Sequence, residues 1–159
     1  AVARIAGPNG TRDCAIIDIP ASPGKISSAN GEFITSIYLP KRPERASDAY
    51  LRFIPRTEMD IAVAAAAVSL ELDEAGVCIK ARVSLGAVAP TVLLVKTASD
   101  CIVGTKLDDA SLEALSAACS AVCNPIDDKR GTIEFRTQTA GVLAKRAALI
   151  AYKRAGGQK

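Results

Sequence analysis

The chain has 159 residues, of which 49% are hydrophobic, and a formal net charge of +3. This composition can support a packed core, which excludes a globally disordered chain, and the mixed charges argue against a nucleic-acid-binding surface. Histidine is missing from the sequence, so the commonest general base and metal ligand are unavailable. We therefore predict no metal site and no catalytic residue in this chain.

The cysteines and the apolar runs bear on the compartment. The sequence has five cysteines and no CxxC spacing, which favours reduced thiols over a disulfide framework. Reduced thiols are typical of cytoplasmic proteins, so we expect a cytoplasmic location. We expect no membrane span, because no apolar run reaches the roughly 18 residues that a bilayer requires.

The first 45 residues read as short strands separated by turns. Three β-rich runs, at 2–6, 14–19 and 33–39, are parted by clusters of Gly, Pro, Asn and Ser, and such spacing predicts strands rather than helices. The charged, proline-rich segment "PKRPERAS" at 40–47 is typical of a linker. We therefore place a boundary between a unit at 1–45 and a unit at 46–159.

The middle of the chain contains a charged segment followed by alternating apolar residues. The segment from Tyr50 to Asp60 carries Arg52, Arg56 and Glu58, and it reads as a polar loop. Residues 61–72 and 77–85 then alternate on either side of the turn "DEAG", which predicts an antiparallel hairpin with one buried face. A further short strand is expected at 92–95.

The period changes to a helical one in the last third of the chain. A helix beginning at Asp108 or Asp109 is predicted to run to about Val122. Its apolar stripe at 3-4-3 spacing is Leu112, Leu115, Cys119 and Val122. A second helix of about 20 residues follows Gly131. Strands followed by helices predict an α+β fold, in which helices cover one face of a small antiparallel sheet.

Several segments, in order, carry a resemblance to a known family. The stretch "YLRFIPRTEMDIAVAAAAVSLELDEAGVCIKARVSLGAVAPT", followed by "DKRGTIEFRTQTAGVLAKRA", resembles the C-terminal domain of the FAD-binding medium subunit of molybdenum hydroxylases. This is the family of xanthine dehydrogenase and aerobic carbon monoxide dehydrogenase. The first 45 residues resemble the end of the preceding FAD-binding domain, so we expect an incomplete remnant of that domain.

The resemblance implies an electron-relay role within a larger enzyme. In that family, FAD passes electrons from iron–sulfur clusters to an external acceptor, and the cofactor performs the chemistry. The implied partners are a molybdenum-binding large subunit with its molybdenum cofactor, an iron–sulfur small subunit with 2Fe-2S clusters, and a missing N-terminal FAD-binding half. Without that half, which carries the glycine-rich FAD loops of the family, we expect the chain to bind FAD weakly or not at all.

The resemblance also implies four cofactor-binding residues. Asp18 stands where the family places an acid that contacts FAD, and Ile61 stands where it places an apolar residue that touches the flavin. Lys80 lies near a lysine of the family that approaches FAD, and Tyr50 lies near a shielding aromatic residue. The residues alone leave alternatives open: a turn carboxylate, a core isoleucine, a solvated lysine and an aromatic cover for a sheet edge.

Charged residues near both ends of the second unit suggest structural ties. Arg56 and Asp60 are predicted to pair and to hold the chain beside the flavin. The acids and arginines of "DKRGTIEFR" are predicted to tie the last helix to the sheet or to a partner subunit; they are Asp128, Arg130, Glu134 and Arg136.

Two other classes of function stay open at this stage. One is a free-standing interaction module that has the fold without the cofactor. The other is a small independent enzyme, against which the missing histidine and the lack of a nucleophile–base pair count.

Overall fold

The computed structural model describes residues 1–57 and 60–158, so Glu58 of the charged segment lies outside the described residues. The chain divides into two compact units, Ala1–Arg42 and Pro43–Lys159, called here the N-terminal and C-terminal units. Within the described part of the chain, every helix is too short or too polar to cross a bilayer.

The N-terminal unit consists of short antiparallel strands. Its main sheet has the order β2-β1-β5, and a small second sheet pairs β3 with β4. The strands are β1 (Val2–Gly7), β2 (Gly10–Ala15), β3 (Pro20–Ser22), β4 (Lys25–Ile26) and β5 (Phe33–Tyr38).

The strand predicted at 14–19 is wrong beyond Ala15. Strand β2 begins at Gly10, whose positive φ of 107° suits the tight turn from β1. Its pairing with β1 ends where Ala15 meets Val2, and the chain then turns into a short 3₁₀ helix, Ile16–Asp18. The alternating side chains of this segment indicated a strand, but the partner strand ends first.

The C-terminal unit has a four-stranded antiparallel sheet whose strands follow chain order. They are β6 (Ala46–Phe53), β7 (Ala64–Leu72), β8 (Cys78–Gly86) and β9 (Leu93–Leu94). The predicted hairpin is confirmed as β7 and β8, with Leu70 opposite Ala81. Its turn is closed by the Asp73 amide, which donates to the Val77 carbonyl at 2.9 Å.

Strand β6 contradicts the reading of Tyr50 to Phe53 as loop. Along β6, Ala49 and Leu51 face the core, while Tyr50 and Arg52 point to the opposite, open face. The charged residues that suggested a loop therefore occupy only the solvent side of a strand, which is the usual pattern of a sheet covered on one face.

Three helices follow: α1 (Lys96–Ile102), α2 (Asp109–Ala121) and α3 (Ile133–Arg154). Asp108 caps α2 by accepting the Ser111 amide at 2.8 Å, and Thr132 caps α3 by accepting the Phe135 amide at 3.2 Å. Helix α1 was not predicted. Val122 follows α2 and is exposed, so its assignment to the apolar stripe was wrong.

The core lies between the helices and one face of the sheet. Val68 and Leu70 of β7 belong to the same buried cluster as Leu143 and Ala147 of α3. The small residues of α3 let the helix approach the sheet closely, because Ala places little volume between two backbones. The α+β prediction, with helices on one face of a small antiparallel sheet, is confirmed.

Candidate functional site

The connection between β6 and β7 carries an exposed apolar side chain, and a backbone hydrogen bond joins the two ends of this connection. At the base of this segment, the Val63 amide donates to the Phe53 carbonyl at 2.9 Å. Ile61 lies just before the base, and 64% of it is exposed. It was predicted to begin a strand, but β7 begins only at Ala64, so Ile61 belongs to the connection and not to the core. We call residues 60–63 the Ile61 segment.

Arg136, near the start of α3, forms a hydrogen bond to the backbone of the Ile61 segment. Its Nη1 donates to the Val63 carbonyl at 2.8 Å, and its Nη2 donates to Asp128 Oδ1 at 2.6 Å. Its Nε donates to the Gly131 carbonyl at 3.2 Å. The prediction that Arg136 ties the last helix to the sheet is therefore confirmed, because Val63 immediately precedes β7.

A series of ion pairs continues from Arg136 to the Ile61 segment. Asp128 also pairs with Arg130 at 3.6 Å, and Arg130 lies 3.7 Å from Asp60. Asp60 in turn accepts the Ile61 amide at 2.8 Å, and Arg56 lies 3.5 Å from its other oxygen. The predicted Arg56–Asp60 pair is confirmed.

The electrostatics of this series favour the ionised carboxylates. The pKa of Asp128 is lowered from its ordinary value, first by the hydrogen bond from the Arg130 amide and then by the Arg136 side chain. The side chain of Asp60 is only 10% exposed and lies between two arginines. Glu134, in contrast, accepts a hydrogen bond from Gln138 of its own helix.

Tyr50 and Lys80 lie on the open face of the sheet, away from the helices. Tyr50 is opposite Ala67, and Lys80 is opposite Glu71, so their positions along β7 have the same parity and the same face. Lys80 is at the far end of the sheet from the Ile61 segment. Glu71 lies seven positions after Ala64 along β7, a length of roughly 23 Å at about 3.3 Å per residue.

That separation limits what these residues can contact together. Because Lys80 pairs near the end of β7 that is remote from the Ile61 segment, we do not expect one isoalloxazine ring to touch both Ile61 and Lys80. If both contact FAD, Lys80 must meet another part of the cofactor. The role of Lys80 therefore stays a prediction, as does that of Tyr50, which is exposed and accessible from the open face.

Asp18 belongs to the N-terminal unit, where it ends the 3₁₀ helix after β2 with an exposed side chain. It precedes the β3–β4 hairpin, whose turn contains Gly24 with a φ of 72°. The position of Asp18 is compatible with a ligand contact, and its role stays a prediction.

The acids and cysteines of the described residues are the remaining candidates for metal ligands, since the sequence has no histidine. Within 1–57 and 60–158, no group of three or more acids or cysteines could hold a metal ion. All five cysteines are free thiols, and Cys78 and Cys119 are buried. Burial raises the pKa of Cys119 to about 12, and the nearby thiols of Cys123 and Cys101 add to the effect. Such a thiol is inert at neutral pH.

Residues 49–151 match the family described as the CO dehydrogenase flavoprotein C-terminal domain. The class that the fold and the match define is an α+β domain of flavoproteins. More particularly, the chain belongs to the CO dehydrogenase flavoprotein C-terminal domain family.

The similarity to known proteins and structures covers nearly the whole chain. The carbon monoxide dehydrogenase medium chain of Afipia carboxidovorans is 36% identical over 151 residues, which are 95% of this chain and 52% of that protein. The xanthine dehydrogenase FAD-binding subunit of Escherichia coli O157:H7 is 28% identical over 97% of this chain and 53% of its own length. The structure of reconstituted CO dehydrogenase from Oligotropha carboxidovorans superposes with a TM-score of 0.90 at 35% identity, covering 96% of this chain and 53% of that one.

The chain thus spans about half the length of the relatives it matches. The sequence resemblance to the FAD-binding medium subunits is confirmed at the level of the family. The contact of Arg136 with Val63 was not predictable from the sequence, because the two residues are 73 positions apart. The only signal was the presence of an arginine on the helix face that also carries Ala140 and Leu143.

Proposed function

We propose that this chain is part of the FAD-binding subunit of a molybdenum-containing oxidoreductase. Its role would be to help relay electrons from iron–sulfur clusters through FAD to an external acceptor. The observation that carries the proposal is the family match over 49–151, together with relatives in which this region forms half of an FAD-binding or medium subunit. Catalysis would belong to the assembled enzyme and not to this chain alone.

The residues of the C-terminal unit fit one wall of a flavin site. One face of an isoalloxazine ring can pack against an apolar side chain, and Ile61 offers an exposed aliphatic side chain whose backbone is held on both sides. The bound FAD would supply the electron-transfer chemistry. The chain's residues would orient the ring, exclude water from one face and keep the adjacent charges fixed.

The N-terminal unit fits the role of a partial FAD-binding domain, which the sequence predicted for residues 1–45. Its strand β5 carries exposed apolar side chains, among them Phe33, Ile37 and Tyr38. Phe33 and Tyr38 lie on one face of the strand and Ile37 on the other, so both faces expose apolar surface. Exposed apolar surface of this kind is typical of a region that another part of the protein covers. We propose that the remaining FAD-binding half covers it, and that Asp18 contributes to the cofactor site from this unit.

The implied partners are the molybdenum-binding large subunit and the iron–sulfur small subunit, with their molybdenum cofactor and 2Fe-2S clusters. We propose a cytoplasmic assembly, which is consistent with the free thiols of all five cysteines. The substrate would be chosen on the large subunit, and nothing in this chain identifies it.

Affinity purification of the natural polypeptide from its source, followed by intact-mass and metal analysis, tests the assembly. We expect a product about twice the size of this 16.5 kDa chain, together with flavin, iron and molybdenum. A stable 16.5 kDa species without these partners would instead favour a free-standing interaction module. Stoichiometric FAD binding by this chain alone would also contradict the proposal.

The flavin wall is tested by Ile61→Ala in the complete FAD-loaded subunit. We expect a changed flavin absorption spectrum and weaker FAD binding, because the ring loses its apolar contact. Ile79→Ala is the matched control, since Ile79 is also exposed but lies near the far end of the sheet. Equal effects of the two substitutions would contradict a specific contact at Ile61.

A further inference from the structure

Arg136 is the one charged side chain that is buried among the described residues, with 3% of it exposed. A charge removed from water is strongly destabilising unless hydrogen bonds compensate it. All three donor nitrogens of this guanidinium have an acceptor, and two of the acceptors are backbone carbonyls. Three of its five N–H groups are thus used, one from each nitrogen, and these bonds fix the positions of the three acceptors relative to α3.

The acceptors are the parts of the chain that determine where Ile61 lies. The Val63 carbonyl is two residues beyond Ile61 and receives Nη1 directly. On the other side of Ile61, Asp60 is connected to Arg136 through Arg130 and Asp128. One buried side chain therefore restrains both flanks of the same exposed residue.

The packing around Gly131 supports this arrangement. A Cβ at Gly131 would lie 3.3 Å from Val63 Cγ1 and 3.1 Å from Phe135 Cδ1. These separations are closer than ordinary side-chain contacts, so an alanine there would require the side chains of Phe135 and Val63 to shift by a few tenths of an ångström. The absence of a side chain lets the turn before α3 approach the Ile61 segment.

We propose that Arg136 is a positioning residue for the flavin: from the interior of the C-terminal unit, it sets the height and rigidity of the Ile61 segment against the isoalloxazine ring. The inference rests on the proposed function, because it requires that Ile61 faces FAD. It extends that function to a residue that has no contact with the cofactor.

A lysine cannot replace this guanidinium. Arginine presents its donors in a rigid planar fork, whereas the lysine ammonium is a single point charge on a flexible stem. Arg136→Lys keeps the positive charge but cannot reach Val63, Gly131 and Asp128 at once. The Ile61 segment then has to be ordered when FAD binds, and that ordering lowers the affinity.

The test uses the complete FAD-loaded subunit with four single substitutions: Arg136→Lys, Gly131→Ala, Ile61→Ala and the control Arg146→Lys. Arg146 is an exposed arginine of the same helix. Each variant is measured by thermal melting, by hydrogen exchange of the 60–63 amides, by FAD affinity and by the flavin absorption spectrum. Gly131→Ala keeps Arg136 but alters the packing against Val63. It therefore tests the same contact in the event that Arg136→Lys does not fold.

We expect Arg136→Lys and Gly131→Ala to speed exchange at 60–63, to raise the FAD dissociation constant about tenfold, and to shift the flavin spectrum as Ile61→Ala does. Arg146→Lys should change none of these. If Ile61→Ala alters the flavin while both interior variants leave it unchanged, the inference is overturned and the proposed function stands. If Ile61→Ala also has no effect, the flavin wall itself is refuted, and the inference falls with it.

Discussion

The two units of this chain differ in where their apolar residues lie. In the C-terminal unit, the inward side of β7 and the facing side of α3 form one continuous buried cluster. In the N-terminal unit, Ala3 and Ile5 are the buried apolar residues among those described, while most apolar side chains of β5 are exposed. Apolar residues in a strand therefore mark a filled core in one unit and a largely exposed strand in the other.

The units also use their charges differently. In the N-terminal unit, Arg4 pairs with Asp13 and Arg12 with Glu32, both through two hydrogen bonds at the surface. In the C-terminal unit, buried Arg136 instead divides its hydrogen bonds between one Asp128 oxygen and the carbonyls of Val63 and Gly131. Exposed ion pairs contribute little to stability, and a buried ion pair is weak evidence for it. The main physical difference between the two units is therefore the larger buried apolar cluster of the C-terminal unit.

The largest predicted effect tests the filled core. Leu115→Ala removes a side chain of α2 that is fully buried, and we expect the free energy of unfolding to fall by about 4 kcal/mol, from lost burial and from the cavity left behind. Ile37→Ala in β5 is the comparison, because 56% of Ile37 is exposed; we expect a change within about 0.5 kcal/mol. Denaturant unfolding followed by circular dichroism measures both. Similar losses would show that the two units do not differ in this way.

The next prediction concerns thiol reactivity in the two units. Because burial raises the pKa of Cys119 from 9.0 to about 12, its thiolate fraction at pH 8 should be on the order of a thousandfold below that of an ordinary cysteine. Half-buried Cys14 in the N-terminal unit should therefore be alkylated before buried Cys119. Mass spectrometry of iodoacetamide-treated chain, native and unfolded, distinguishes the sites.

The raised pKa of Cys119 also gives stability a pH dependence. The unfolded thiol loses its proton near pH 9 while the folded thiol keeps it to about pH 12, so this contribution is complete below pH 9 and is lost as pH rises through that interval. Rapid alkylation of native Cys119 at pH 8 would mean that α2 opens readily. The buried cluster of the C-terminal unit would then protect its residues from solvent less well than its burial indicates.

The smallest effect is expected for the surface pairs of the N-terminal unit in acid. Hydrogen bonds from the Arg12 side chain and then from the Ala29 amide lower the pKa of Glu32 from 4.5 to about 2. The contribution of this carboxylate is present above pH 4.5 and is lost as pH falls toward 2. Hydrogen exchange at 27–32 should therefore rise across that interval, and Glu32→Gln should remove the pH dependence. An unchanged profile in Glu32→Gln would assign the effect to other groups.

Sequence patterns predicted the regular elements whose periodicity was long or capped. The hairpin of β7 and β8 was predicted because two alternating runs flank "DEAG". Helix α2 was predicted from its cap at Asp108, and α3 from its stripe of mostly small apolar residues. Helix α1 was missed because its seven residues are too few for a helical period to emerge. Strand β6 was missed because charged residues occupy one of its two faces.

The candidate site was predictable only where its members are neighbours in sequence. Arg56 and Asp60 are four positions apart, and charge alone suggested their pairing. The exposure of Ile61 was not predictable from its apolar character, since apolar residues at a strand start are more often core. Its exposure follows from the start of β7 at Ala64, which the pairing with Phe53 determines.

By itself, the sequence determined the class of fold, the family and the identity of the charged residues around the Ile61 segment, because these depend on periodicity, caps and the order of motifs along the chain. Only the tertiary structure decided that Arg136 is buried and that it reaches the Val63 carbonyl. The physical reason is that burial and hydrogen-bond pairing depend on how α3 packs against the sheet. A guanidinium on an isolated helix would be exposed to water, and packing is what gives it two backbone carbonyls and a carboxylate instead.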